Sequence, residues 1–263
     1  MARANRHYIP GYVWHITHRC YKREFLLKFV RDRRRWLHWL FEGKKRFGTC
    51  ILNYAVTSNH IHLLVRDGKE GEVIPQTMQL IAGRTGQEYN QRKNRNGAFW
   101  EDRYHATAVE PGPHLFRCMV YIDLNMVRAG VVTHPSEWPF SGYNEIENGR
   151  ERYGLVDHKS LMDLLGIGRM EELKENYRGW VEESLVVQDG RREPRWTESI
   201  AVGSEGFVEY TKATLGIKAI GREVIEKEGV YELREPETPY SLNSGNGNSD
   251  LRFQNTYYWN ISD

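Results

Sequence analysis

The 263-residue chain predicts an α+β fold, an antiparallel sheet layered with helices, and three observations carry that expectation. Short runs rich in β-branched and aromatic residues alternate with longer runs of helical period, in the order strand, helix, strand, strand, helix, strand, helix. Two of the strand-like runs, residues 50–57 and 60–66, are separated only by Ser58-Asn59, a short polar turn that fits an antiparallel hairpin. Helices joined to strands in this order are expected to gather on one side of the sheet as a sandwich.

Each element has a local reason. Residues 11–18, GYVWHITH, read as the first strand. Residues 28–47 follow a helical period, with Val30, Leu37, Leu40 and Phe41 on one face and Arg31, Arg34, Arg35 and His38 spread over the other. Residues 73–92 repeat the pattern with Ile74, Met78, Ile81 and Tyr89, and residues 103–110 read as another strand. In Pro111-Gly112-Pro113, Gly112 suits an N-cap and Pro113 the first helical position, so a helix is predicted from there to about Ala129. Gly130 supplies a left-handed stop.

Proline, glycine and asparagine cluster in residues 135–152, which places a boundary near 147. Residues 1–147 form the first expected domain. Helical patterns over 158–187, about 204–215 and 219–228 make residues 148–235 a mainly helical extension. Residues 236–263, rich in serine, glycine and asparagine from Ser241 onward, are expected as a disordered tail.

Composition narrows the class of function. Hydrophobic residues make up 40% of the chain, enough for a packed core, and no run of eighteen apolar residues points to a membrane span. The basic opening MARANRHYIPGY is not followed by the apolar stretch of a secretory signal. Cys20, Cys50 and Cys118 lie far apart with no CxxC, which suits a reducing cytoplasm. The net charge of +2 hides an asymmetry: residues 1–50 hold thirteen basic and three acidic side chains, whereas residues 151–263 hold fourteen basic and twenty-one acidic. A basic N-terminal region suits phosphate, hence a nucleic-acid partner and a location in the cytoplasm at the nucleoid. A solvated basic helix satisfies the same numbers.

Two segments bear chemistry. In His60-Ile61-His62-Leu63-Leu64-Val65, strand alternation turns His60, His62 and Leu64 to one face and Ile61, Leu63 and Val65 to the other. Two imidazoles on one strand face can reach one divalent cation, although two ordinary sheet histidines have the same spacing. On the predicted helix after Pro113, His114, Arg117, Cys118, Tyr121, Asn125 and Arg128 share one face. Tyr121 and Asn125 are one turn apart. If that face meets the histidine strand, Asn125 offers an amide oxygen to the metal and Tyr121 a hydroxyl beside it. A half-buried tyrosine and a solvated amide remain the bland account of the same spacing. Asp123 lies on roughly the opposite side of the helix.

At this point the chain resembles a family. TSNHIHLLV followed by YIDLNMVRAGVV is similar to the REP-associated tyrosine transposases, a branch of the HUH single-tyrosine transposases. RHYIPGYVWHITHRCYKREFLL, GAFWEDRYHATAVE and SEWPFSGY extend the likeness over roughly residues 3–145. The resemblance implies a ferredoxin-like HUH nuclease fold, single-stranded or hairpin DNA as substrate, a 5′-phosphotyrosine intermediate, and a divalent cation, Mg²⁺ or Mn²⁺. It implies His60, His62 and Asn125 as metal ligands and Tyr121 as nucleophile. The family more often carries proline at the place of Met126, so the path of the helix past Asn125 is expected to differ here. Arg3, Arg6, Arg19, Lys22, Arg23 and Arg128 are the candidate DNA contacts, with Trp14 or Tyr12 for base stacking. Monomer and homodimer are both compatible with the sequence. The competing functions are a non-catalytic nucleic-acid-binding protein derived from a transposase and a metal hydrolase using activated water.

Overall fold

The computed structural model describes residues 8–68, 72–149, 152–187 and 192–236. Arg3, Arg6 and all but the first residue of the expected tail 236–263 lie outside the described residues. The first elements follow in the predicted order: β1 (Val13–Arg19), α1 (Val30–Phe47), β2 (Cys50–Val56), β3 (His60–Arg66), α2 (Val73–Lys93) and β4 (His105–Val109). Left-handed residues end both helices, Gly48 after α1 and Asn94 after α2.

The four strands pair antiparallel in the order β2-β3-β1-β4, the ferredoxin-like arrangement. Alternation then sorts the side chains. Ile61, Leu63 and Val65 are fully or almost fully buried on one face, where each apolar side chain contributes roughly 1.5–3 kcal/mol. Register places His62 opposite Thr17 and Ala55, and His15 opposite Leu64 and Thr107, so these residues share the other face.

The next helix takes that second face, which corrects the expectation that all helices lie on one side. α3 (Pro113–Asp123) starts at Gly112 and Pro113 as predicted. It is pinned by its C-terminal Asp123, whose carboxylate accepts from Asn53 Nδ2 of β2 at 2.9 Å and from the Tyr177 hydroxyl. The predicted single helix to Ala129 is divided. Leu124, with ψ near 0°, separates α3 from the single turn α4 (Asn125–Arg128). A break therefore occurs beside Asn125 even without the family's proline.

The stretch read as a boundary holds a short helix, α5 (Tyr143–Asn148), and beyond it α6 (His158–Leu165) and α7 (Met170–Val187) are helical as expected. α6 and α7 pack against α3. The following segment is more than helices: α8 (Arg195–Glu198), β5 (Ala201–Gly203), α9 (Glu205–Leu215), β6 (Glu223–Lys227) and β7 (Val230–Arg234). β5 pairs parallel with β4, and β7 and β6 follow, so one seven-stranded sheet crosses the expected boundary. Residues 219–228, read as a helix, hold instead the strand β6 and the start of a hairpin. The turn Glu228-Gly229 has positive φ at both positions, 55° and 71°, the twist that a two-residue hairpin turn requires. Among the described residues, no helix is long and apolar enough to cross a membrane.

Candidate functional site

The two expected halves of the site meet. β3 delivers His60 and His62, and the break at Leu124 turns Asn125 onto that strand. The Asn125 Nδ2 lies 2.9 Å from His62 Nε2. A half-turn of the amide presents Oδ1 at the same place. The Tyr121 ring stands edge-on to His62, with centroids 5.8 Å apart. It is 4% exposed, and burial raises its phenol above the ordinary value, partly opposed by the Arg128 and Arg192 charges. Asp123 is buried on the far side of the helix in its contacts with Asn53 and Tyr177.

Both strand histidines have the chemistry of cation ligands. His60 Nδ1 lies 2.7 Å from Asn59 Oδ1, which directs its proton there and leaves Nε2 for a ligand. Burial, and then the charges of Arg19, Arg192 and Arg128, push His60 down to about 3. Burial also holds His62 well below the ordinary range. Both rings are therefore neutral near pH 7, the form that binds metal. Among the described residues, no three His, Cys, Asp or Glu side chains gather around one point; the further oxygen that could join the two imidazoles is that of the Asn125 amide. Two imidazole nitrogens and one amide oxygen, with positions left open, suit Mg²⁺ or Mn²⁺ when phosphate oxygens complete the shell.

These residues open on a cleft of ≈ 810 Å³. Of the candidate DNA contacts, Arg19, Arg23 and Arg128 line it. Arg19 also pairs with Glu101 at 3.7 Å. Lys22 is exposed in the same turn as Arg23, both at positive φ. Arg128 does more than face the cleft. Its Nη2 donates to the Tyr121 carbonyl at 2.7 Å, and its guanidinium lies 4.2 Å from the Tyr121 ring centre.

Trp14 is a correction. It is 3% exposed and packs against Tyr8 and Tyr12, so its ring has no face for a nucleobase. The alternation that put His15 on the site face sends Trp14 into the core. Tyr12 is half-buried and stacks one face on Phe207 of α9 at 5.2 Å.

Sequence reasoning missed three contributors. Arg103 and Arg192 line the cleft. His15, fully buried, links His62 to the extension: its Nε2 is 2.9 Å from His62 Nδ1, and its Nδ1 is 2.8 Å from the Trp196 carbonyl. Strand alternation in VWHITH could have placed His15 with Thr17 on one face. Nothing local announces that His62 would lie beside it.

Residues 9–124 match the family model described as "Transposase IS200 like". No curated protein matches the chain. Two solved structures are similar. One is a REP-associated tyrosine transposase bound to a REP hairpin, 20% identical, with a TM-score of 0.48 over 60% of this chain and 94% of that one. The other is a Deinococcus radiodurans protein described as a transposase, 17% identical, with a TM-score of 0.32 over 39% of this chain and 82% of that one.

Proposed function

We propose, from the match of residues 9–124 to the family model described as "Transposase IS200 like", that this chain is a REP-associated type of tyrosine transposase that cuts and rejoins single-stranded DNA through Tyr121. One juxtaposition carries the reading: Tyr121 and Asn125 from the broken helix, and His60 and His62 from β3, open on one cleft rimmed by Arg19, Arg23 and Arg192.

The chain's own groups divide the work. The arginines hold the phosphate backbone by charge, which carries no sequence information. Tyr121 Oη attacks phosphorus, forming the tyrosine–phosphate bond on the 5′ side as the bond to O3′ breaks. The tyrosine gives up its proton, and the released O3′ takes one up to leave as a hydroxyl. Attack by another 3′-hydroxyl reverses these changes, so rejoining needs no nucleotide cofactor. Arg128 fixes the tyrosine from behind through its carbonyl and favours its ionised form, against the burial that raises the phenol. His60, His62 and the Asn125 oxygen would hold a divalent cation, which would neutralise charge growing on the phosphate. A strand carrying a palindromic hairpin is the substrate class that the motif resemblance implies.

The test is a denaturing gel of the purified protein with labelled single-stranded hairpin DNA and Mg²⁺ or Mn²⁺. The expected result is a protein–DNA band that survives denaturation, disappears in Tyr121→Phe and requires the metal. Full cutting by Tyr121→Phe sinks the nucleophile assignment. Cutting without a covalent band points to activated water, and tight metal-independent binding without cutting points to a binding protein.

A further inference from the structure

We infer that His15 and the main-chain carbonyl of Trp196 together set the tautomer of His62, so that the C-terminal extension completes the metal site through a backbone atom. The inference rests on the reading of His62 as a ligand.

The argument runs along one chain of hydrogen bonds. A carbonyl oxygen only accepts, so the 2.8 Å contact between Trp196 O and His15 Nδ1 requires the His15 proton on Nδ1. In a singly protonated ring, His15 Nε2 is then an acceptor. It lies 2.9 Å from His62 Nδ1, so His62 donates from Nδ1. That leaves the lone pair of His62 on Nε2, the atom that faces the Asn125 amide and the cleft. His15 is fully buried, and its far partner is a neutral carbonyl, which can only accept. The two imidazole planes are nearly parallel, with centroids 5.1 Å apart and an interplanar angle of 11°, as an in-plane bond between the rings requires.

The acceptor end of the chain is held firmly. Trp196 is 1% exposed. Just beyond it, the Ser199 carbonyl accepts from Thr107 Oγ1 at 2.6 Å, and β5 pairs with β4. The Ser199 hydroxyl donates to Glu232 of β7 at 2.7 Å. The position of the Trp196 carbonyl is thus decided by the added strands. A ligating histidine usually has such a partner on its second nitrogen, and its loss typically weakens metal binding about ten- to hundredfold. Here the partner is another histidine, itself oriented from outside the matched segment 9–124.

The experiment uses the full chain, isotope-labelled and metal-free, and reads which ring nitrogen of each histidine carries the proton by long-range ¹H–¹⁵N correlation. Mn²⁺ affinity is measured beside it from the free-ion electron paramagnetic resonance signal. The wild type is expected to carry the His62 proton on Nδ1. In His15→Leu, that proton redistributes toward Nε2 and Mn²⁺ binding weakens about ten- to hundredfold. His15→Gln, long enough to place an amide oxygen at His62, retains the tautomer and most of the affinity. His15→Asn, too short to reach, does not. A His62 proton on Nε2 in the wild type overturns the inference. So does a folded His15→Leu with tautomer and affinity unchanged or, should that variant not fold, equal behaviour of the Gln and Asn variants. If wild type binds no Mn²⁺, the metal reading fails, while the proton's location still decides the relay.

Discussion

Arg128 and Tyr121 form a closed pair: the guanidinium lies 4.2 Å from the centre of the tyrosine ring, and Nη2 bonds to the tyrosine's own carbonyl at 2.7 Å. The pair spans the break at Leu124, so the arginine ties the short turn α4 back to the helix that carries the phenol. A charge-assisted bond of this kind is worth roughly 1.5–3 kcal/mol. Arg128→Ala is therefore expected to slow single-turnover cleavage about ten- to hundredfold. Binding of an uncleavable strand should fall much less. Arg128→Lys should not restore the rate, because an ammonium cannot stack and donate at once in this geometry. Equal losses in binding and cleavage would reduce Arg128 to a simple DNA contact.

Asn125 faces Nε2 of His62, and its contribution is separable from that of Tyr121. Asn125→Ala should raise the Mn²⁺ concentration needed for half-maximal cleavage about tenfold or more. Asn125→Asp retains an oxygen donor and should keep cleavage at low metal. An unchanged metal titration in Asn125→Ala excludes the amide from the site.

Stability should fall in mild acid, and the sign follows from burial. His15 is pushed from 6.5 down to about 3 in the folded chain, chiefly by desolvation. The unfolded chain takes up its proton first as pH falls. The stability associated with neutral His15 is fully present above about 6.5 and is lost progressively toward 3. By pH 5 this one group costs about 2 kcal/mol. Urea midpoints at pH 7.5 and pH 5 should differ by at least this much, since buried His60 and His62 add to the effect, and His15→Gln should reduce the difference by the His15 share. A midpoint independent of pH in the wild type contradicts the buried neutral state.

Gly142 is required by contact rather than by backbone angle. A Cβ at this position would lie 2.2 Å from the Asn53 side-chain oxygen and 3.3 Å from the Tyr54 backbone nitrogen. Asn53 holds Asp123 and, through it, the end of α3. Gly142→Ala should destabilise by about 1–3 kcal/mol and lower cleavage by moving the nucleophile helix. An unchanged thermal midpoint would falsify this account of the Asn53 contact.

A fragment ending at residue 149 should not behave as a free-standing nuclease. It would leave β4 as an unpaired edge, remove Tyr177 from Asp123, and take the Trp196 carbonyl from His15. Aggregation or loss of cleavage is expected. A soluble fragment with full activity and the wild-type thermal midpoint would make the extension dispensable.

The first six elements were legible because their signals are local. Alternation in HIHLLV, the period of residues 28–47 and the Gly112-Pro113 start each depend on neighbours a few positions apart. The hairpin β6–β7 was not legible, since Glu228-Gly229 lacks the Asn-Gly or Asp-Gly mark and its flanks are as polar as a surface helix. Strand β5 has three residues, too few for any period to show. Trp14 was ambiguous because an aromatic in a strand serves a core and a binding face equally well.

The sequence by itself determined which residues could carry the chemistry: paired histidines on one strand face, and a tyrosine and an amide one helical turn apart. That follows from backbone repeats, which are properties of the chain over a few residues. Only the tertiary structure decided which face the tyrosine helix covers, where it breaks, and that His15 stands between His62 and a Trp196 carbonyl 181 residues further along the chain. The physical reason is that a histidine's tautomer is chosen by the atom on its other side. That atom belongs to whichever strand the sheet brings alongside.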